Sequence, residues 1–200
     1  GLTKAGLEII SAVGLQPVRE VVEAAGGTVL VDLKLKDIPT TVHKAVLALA
    51  RQGYFAVTIH ADGTEEMLRA AVEAADIVEA ETGHRILLIG VTRLTSDKHI
   101  DDEGMLALAK KAAHCGLPAV VCAASDLILL QNDPETWNLL TLVPAIRLSD
   151  GDAHDQARPS TPGNAIAAGA DMLVGGRAIF DEDDPNAIIN RFERQILDNM

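Results

Sequence analysis

Short apolar runs alternate with longer amphipathic stretches along the whole chain, and this alternation constrains the fold more than any single motif. Strand-like runs fall at 28–33, 55–60, 85–91, 118–122, 140–145 and 171–175. Helical periodicity occupies 8–25, 40–52, 64–80, 98–115, 124–131 and 162–169, with a last helix near 185–198. The strand runs are continuously apolar, as in Thr28-Val29-Leu30-Val31, which marks strands buried on both faces. Repeated βα units of this kind predict a parallel sheet covered by helices. No linker divides the chain, so residues 1–200 are expected to form one domain.

Two architectures fit that pattern, a (β/α)8 TIM barrel and a doubly wound open sheet. Polar residues at many different strand ends, and a phosphate-site pattern near the C-terminus, favour the barrel. No glycine-rich dinucleotide fingerprint follows the first full strand. Residues 2–5 carry at most the end of a further strand, so the barrel's first strand is expected to be missing or only partly present. The chain starts with Gly1 rather than Met, and the expectation is a truncated record of a longer molecule. Cut short at Gly1, an eight-stranded barrel would expose sheet edges and be weakly stable.

Composition narrows the function. The chain is 48% hydrophobic and 23% charged, as in a soluble globular protein. A net charge of −12 argues against non-specific nucleic-acid binding and against attraction to an anionic membrane. An anionic substrate would need a local cationic pocket. Cys115 and Cys122, with no metal-site spacing, fit a reducing cytoplasm better than a disulfide framework. No apolar stretch is long enough to span a membrane, and no signal peptide is present.

The chemistry concentrates where the strand at 28–33 hands over to its helix, in V-D-L-K-L-K-D-I-P-T-T. Regular alternation would point Asp32 and Lys34 the same way, about 7 Å apart along the strand. Asp37 follows, Pro39 stops the strand, and Thr40-Thr41 can cap the next helix. An acid–base–acid cluster is costly to bury. Its bland explanation is a salt-bridged strand end. Its functional explanation is a lysine kept protonated and positioned by carboxylates, ready to donate a proton. Lys4, in T-K-A-G, has a purpose if it faces this cluster.

Further candidates lie at other strand ends. In 161–179, a short helix leads into a strand ending Gly175-Gly176-Arg177. Glycines let backbone approach an anion, and Arg177 offers a bidentate fork. Upstream, Arg147 opens a long polar segment, 148–159, in which Gly151 could hinge a lid and Gln156 could bond a phosphate oxygen. His60 ends the strand V-T-I-H, and Thr95 follows the strand 85–91, where Ser96 or Asp97 would by default cap the next helix. The other histidines show no metal spacing, so no metal site is expected.

Taken in order, D-L-K-L-K-D-I-P-T-T, V-T-I-H, V-T-R-L-T-S, G-L-P-A-V-V-C, P-A-I-R with D-Q-A-R, and T-P…A-G-A-D…G-G-R resemble orotidine 5′-phosphate decarboxylase. The resemblance covers nearly the whole chain, and D-x-K-x-x-D-I-P-x-T is similar to the bacterial branch of that family. It implies cofactor-free conversion of orotidine 5′-monophosphate to uridine 5′-monophosphate in pyrimidine biosynthesis. By position, Lys34 would protonate C6, Asp32 would sit beside the substrate carboxylate, and Lys4 would pair with Asp32 and the ribose. The family builds its sites across a homodimer, so Asp37, with Ile38 and Thr41, would serve the neighbouring subunit. Thr95 would line the site, His60 would support it, and Arg147, Gln156, Gly176 and Arg177 would hold the phosphate.

Two departures stand out, the larger being that the family's complete first strand, with an Asp that binds the ribose hydroxyls, is expected to lie before Gly1. Bacterial members often carry Ser after V-V-C to recognise the pyrimidine, and here that residue is Ala123, with Ser125 the nearest hydroxyl. Two other functions compete. A Mg²⁺-dependent sugar-phosphate decarboxylase or aldolase of the same superfamily shares D-x-K, but the D-I-P-x-T run argues against it. A non-catalytic phosphate-binding barrel is the reading if the N-terminal segment is truly absent.

Overall fold

The structure is a computed structural model that describes residues 1–93, 101–148 and 160–199. They fall into two compact units: Gly1–Val91 with Lys111–Ala119, and Thr92–Lys110 with Val120–Met200.

The first unit opens with β1 (Leu2–Gly6), α1 (Leu7–Val13), α2 (Leu15–Ala24) and β2 (Thr28–Leu35). It continues through α3 (Pro39–Arg51), β3 (Ala56–His60), α4 (Glu65–Thr82) and β4 (Leu87–Val91). These strands are parallel and neighbour one another in sequence order, as repeated βα units require. Leu2–Gly6, expected to be a strand remnant, pairs along its whole length with β2, from Leu2↔Thr28 to Gly6↔Asp32. Val29, Leu30 and Val31 of β2, Val57 and Ile59 of β3, and Leu88 and Ile89 of β4 are all buried, which explains their largely apolar runs. Ala71, Ala74 and Ala75 give α4 a small-residue buried face, and α3 packs against α4. Thr64 caps α4 by accepting from the Met67 N–H, and Gly83 ends it in the left-handed conformation.

Two local expectations need correcting. The single helix expected over 8–25 is broken at Gly14, whose φ of 78° lies in the region that favours glycine. Thr40 and Thr41 do not cap α3: the helix starts at Pro39, where a missing N–H costs nothing, and Ile38 at the cap makes no side-chain bond.

The remaining elements are α5 (Asp102–His114), β5 (Ala119–Val121), a 3-10 turn (Ala124–Asp126), α6 (Leu127–Asn132) and β6 (Leu140–Val143). Then come α7 (Pro162–Ala167), β7 (Met172–Leu173), α8 (Arg177–Phe180) and α9 (Pro185–Leu197). β5, β6 and β7 keep sequence order, and the last two pair in parallel through Leu142↔Met172 and Val143↔Leu173. The strand at 171–175 is thus shorter than its apolar pattern suggested. Gly175 is a packing glycine, since a Cβ there would meet Ile179 Cδ1 at 2.5 Å and Phe192 Cε1 at 3.1 Å. Among the described residues, no helix is long and apolar enough to cross a membrane.

The second unit holds a buried ion pair. Arg93 Nη2 lies 2.6 Å from Asp126 Oδ1, with the two side chains 4% and 1% exposed. Asp126 also accepts from the Ala123 N–H at 3.0 Å and from the Ser125 hydroxyl at 3.2 Å, so the carboxylate ties the 3-10 turn to the end of β5. Arg93 Nη2 also lies 3.2 Å from Asp102 Oδ1, but Asp102 is largely exposed, so removing Asp126 takes away the buried part of the compensation for the Arg93 charge. Asp126→Ala is expected to lower the unfolding free energy by about 3 kcal/mol or more, read from urea denaturation. A loss below about 1 kcal/mol would mean that Asp102 or water compensates Arg93 in the folded state.

Candidate active site

In the first unit, β1, β2 and β3 bring Lys4, Asp32, Lys34 and Thr58 together. Lys4 Nζ lies 3.0 Å from Asp32 Oδ2, and Lys34 Nζ lies 2.8 Å from Asp32 Oδ1. The carboxylate is therefore spanned by two ammonium groups, Lys4 from the adjacent strand β1 and Lys34 from two residues further along β2 itself. Asp32 keeps only 12% of its side-chain surface, against 34% for Lys4 and 31% for Lys34. The ion pairs are partly screened, so their geometry carries more meaning than their net stabilisation.

Lys34 does not reach Asp32 by regular strand alternation. Val31 pairs with Val57 but Leu35 pairs with Ile59, so Asp32, Leu33 and Lys34 bulge opposite Thr58 alone. Lys34 takes a φ of 51°, a left-handed conformation that costs a non-glycine residue roughly 1–2 kcal/mol. Its displaced backbone N–H donates to Thr58 Oγ1 at 2.9 Å, and the Thr58 hydroxyl donates to Asp32 Oδ1 at 2.9 Å. Sequence reasoning passed over Thr58, because a β-branched residue inside an apolar strand looks like ordinary strand filling. Its signal was the one hydroxyl in an otherwise apolar Ala56–Ile59 run.

Burial raises the Asp32 carboxyl, but the Lys34 hydrogen bond and the Lys4 charge outweigh it and hold Asp32 below the usual carboxylate range. Asp32 is thus ionised at neutral pH, and the Lys4–Asp32–Lys34 cluster carries a net positive charge within a chain of net charge −12. That surplus suits an anionic ligand and leaves one ammonium able to act as an acid.

Around this cluster, Lys36 Nζ pairs with Asp62 Oδ2 at 2.7 Å, and His60 Nδ1 lies 3.6 Å from Asp62 Oδ1. Burial is the largest influence on His60 and lowers its pKa; Asp62 opposes it, and Lys36 and Lys34 reinforce it. The 3.6 Å separation is too long for a hydrogen bond and Asp62 is already engaged by Lys36, so burial prevails. His60 is accordingly neutral near pH 7.

Asp37 does not join the cluster within its own chain. Its Oδ1 accepts from the Ile38 N–H at 2.7 Å, and Asp37, Ile38 and Thr41 are all exposed, Ile38 to 65%. In the second unit Arg147 is buried, with its N–H donating to the Ser160 carbonyl at 3.0 Å, while the Ser160 N–H donates to Ala145. Ile146 and Ser160 are thereby held side by side in parallel. Gly176 and Arg177 are exposed at the start of α8. The Ser125 hydroxyl is engaged by Asp126, and the Ala123 N–H likewise. Thr95, Gln156 and the proposed hinge Gly151 lie outside the described residues. Among the described residues no group of three or more His, Cys, Asp or Glu is placed to hold a metal ion.

The family model for orotidine 5′-phosphate decarboxylase / HUMPS matches residues 2–192. The orotidine 5′-phosphate decarboxylase of Vibrio parahaemolyticus is 40% identical over 197 residues, covering 93% of this chain and 82% of the relative. That of Vibrio cholerae is 38% identical over 205 residues, covering 97% of this chain and 86% of the relative. Among solved structures, orotidine 5′-phosphate decarboxylase from Lactobacillus acidophilus matches with a TM-score of 0.79 at 29% identity, over 96% of this chain and 85% of that one. An uncharacterized conserved protein from Geobacillus kaustophilus matches with a TM-score of 0.81 at 29% identity, over 98% and 88%. The fold class is therefore the α/β barrel expected from the repeated βα units.

A proton NMR titration of the folded protein is expected to place the His60 midpoint below 6.5. Because the folded value lies under the unfolded one, His60 favours folding fully above about pH 6.5, and that contribution falls away as pH drops through the folded midpoint. A midpoint above 6.5 would show that Asp62, rather than burial, governs this ring.

Proposed function

The chain belongs to the orotidine 5′-phosphate decarboxylase / HUMPS family, and we propose that it converts orotidine 5′-monophosphate to uridine 5′-monophosphate without a cofactor. The observation that carries the reading is the ionised Asp32 held between Lys4 and Lys34. Loss of carbon dioxide from C6 leaves an electron pair in the plane of the ring, where no cofactor can accept it. A fixed ammonium at Lys34 stabilises that developing charge and then transfers its proton to C6. Asp32 lies beside the departing carboxylate, and Lys4 neutralises Asp32 while reaching the ribose.

Arg147, Gln156, Gly176 and Arg177 are assigned to the phosphate by their match to the family's motifs. Phosphate binding, remote from C6, would supply energy for ordering the site. The exposure of Asp37, Ile38 and Thr41 supports their use by a second subunit of a homodimer. His60, neutral and partly buried, supports the cluster, and Thr95 lines the site. The enzyme is taken to act in the cytoplasm, where free thiols such as Cys115 and Cys122 persist.

Lys34→Ala is expected to abolish turnover while leaving uridine monophosphate binding within a fewfold of the parent. Arg177→Ala should weaken that binding by roughly 1.5–3 kcal/mol for the lost charged hydrogen bonds, as calorimetry would show. Equal loss of binding in both variants would contradict the assigned roles. The shared-site reading has its own test. Mixing inactive Lys34→Ala and Asp37→Ala proteins through unfolding and refolding should restore about a quarter of parental activity, because half the dimers are hybrids with one intact site of two. No recovery, with hybrids present by mass spectrometry, would place Asp37 in its own chain's site.

A further inference from the structure

We propose that Thr58 is a positioning residue whose hydroxyl sets the direction of Lys34 toward the reacting carbon. The inference rests on the reading of Lys34 as proton donor. Thr58 is the single β3 residue opposite the three-residue bulge Asp32–Leu33–Lys34, and it is 1% exposed. Its proton direction is determined by its neighbours. The Lys34 N–H can only donate and the ionised Asp32 carboxylate can only accept, so the hydroxyl must take the first and give to the second. No apolar residue of the same shape can do both.

The consequence is a closed ring of bonds: Lys34 N–H to Thr58, Thr58 O–H to Asp32 Oδ1, and Lys34 Nζ back to Asp32 Oδ1 at 2.8 Å. The ring holds backbone and side chain of the same lysine against one carboxylate oxygen. It satisfies a backbone donor that the shifted register removes from the strand ladder, and it retains the left-handed φ of 51° at Lys34. A Val in place of Thr58 fills the same volume, leaves the Lys34 N–H without its acceptor, and frees the lysine to swing.

The test compares Thr58→Val with Thr58→Ser in the full chain, with folding checked by circular dichroism. Thr58→Val should lower kcat for orotidine monophosphate by about tenfold to a hundredfold, the scale of an ångström-level misplacement, while uridine monophosphate binds within about threefold of the parent. Thr58→Ser should restore kcat to within about fivefold. Hydrogen exchange of the Lys34 amide should accelerate in the Val variant and not in the Ser variant. Parental kcat in Thr58→Val, or equal losses in Val and Ser, would overturn the assignment. Should the Val variant not fold, Thr58→Ala against Thr58→Ser gives the same contrast. If the parent protein does not decarboxylate orotidine monophosphate, the functional reading fails on its own. The positioning role is then decided by exchange alone, unchanged Lys34 protection in the Val variant overturning it.

Discussion

The Asp32 carboxylate is the group on which the arrangement of the first unit's strand ends depends. Lys4 on β1 and Lys34 on β2 would repel each other if nothing stood between them, and Thr58 on β3 would have no acceptor for its proton. One buried anion satisfies all of them and thereby ties three strands together at their ends. Such a cluster is poor value as a stabiliser, since well-packed apolar residues hold a strand end at least as well. Its retention makes sense only if the ammonium groups have something to do. The left-handed turn at Lys34 points the same way, because strained backbone is kept where the surrounding contacts over-determine it.

The second unit shows a different use of buried charge. Arg93 and Asp126 neutralise each other, and Asp126 also takes up the Ala123 N–H. Arg93 also meets the exposed Asp102 at 3.2 Å, so its cation is fully answered by carboxylates of its own unit and serves as a brace for a turn. The lysine cluster is unbalanced, part-exposed and net positive in a strongly acidic chain. At Arg93 the cation is met by carboxylates of its own unit, whereas the lysine cluster leaves a positive charge to be met by a ligand.

Much of this was legible in the sequence, and the gaps have physical causes. Runs that are apolar almost throughout located β2, β3 and β4, because burial on both faces leaves little room for polar residues. Lys4 could be expected near Asp32 because a charged residue at a buried strand end needs a partner. The bulge could not be read. Asp-Leu-Lys contains no glycine or asparagine to advertise a left-handed residue, and only the pairing of Val31 and Leu35 with β3 exposes the register shift. Alternation predicted the right neighbours for the wrong reason. Thr58 was hidden by its β-propensity, and Asp37 seemed part of the cluster only because it is close in sequence. Gly14, by contrast, carried a recognisable break signal inside the helical stretch 8–25.

The single surplus charge of the Lys4–Asp32–Lys34 group has a consequence for repeated turnover. Under the proposed chemistry the substrate arrives with a carboxylate, which leaves as neutral carbon dioxide, while the ring carbon keeps the electron pair and takes a proton from Lys34. The ring ends uncharged there, and Lys34 ends as a neutral amine, so the cluster passes from net positive to neutral as its ligand loses the carboxylate charge and keeps only that of the phosphate. Charge stays matched at the reacting centre through the step, and the product, which keeps its phosphate, has lost only the attraction between the cluster and the carboxylate. Each cycle also leaves the site one proton in deficit. The part-exposed position of the Lys34 side chain then has a second meaning: it is the route by which water can recharge the acid before the next substrate binds.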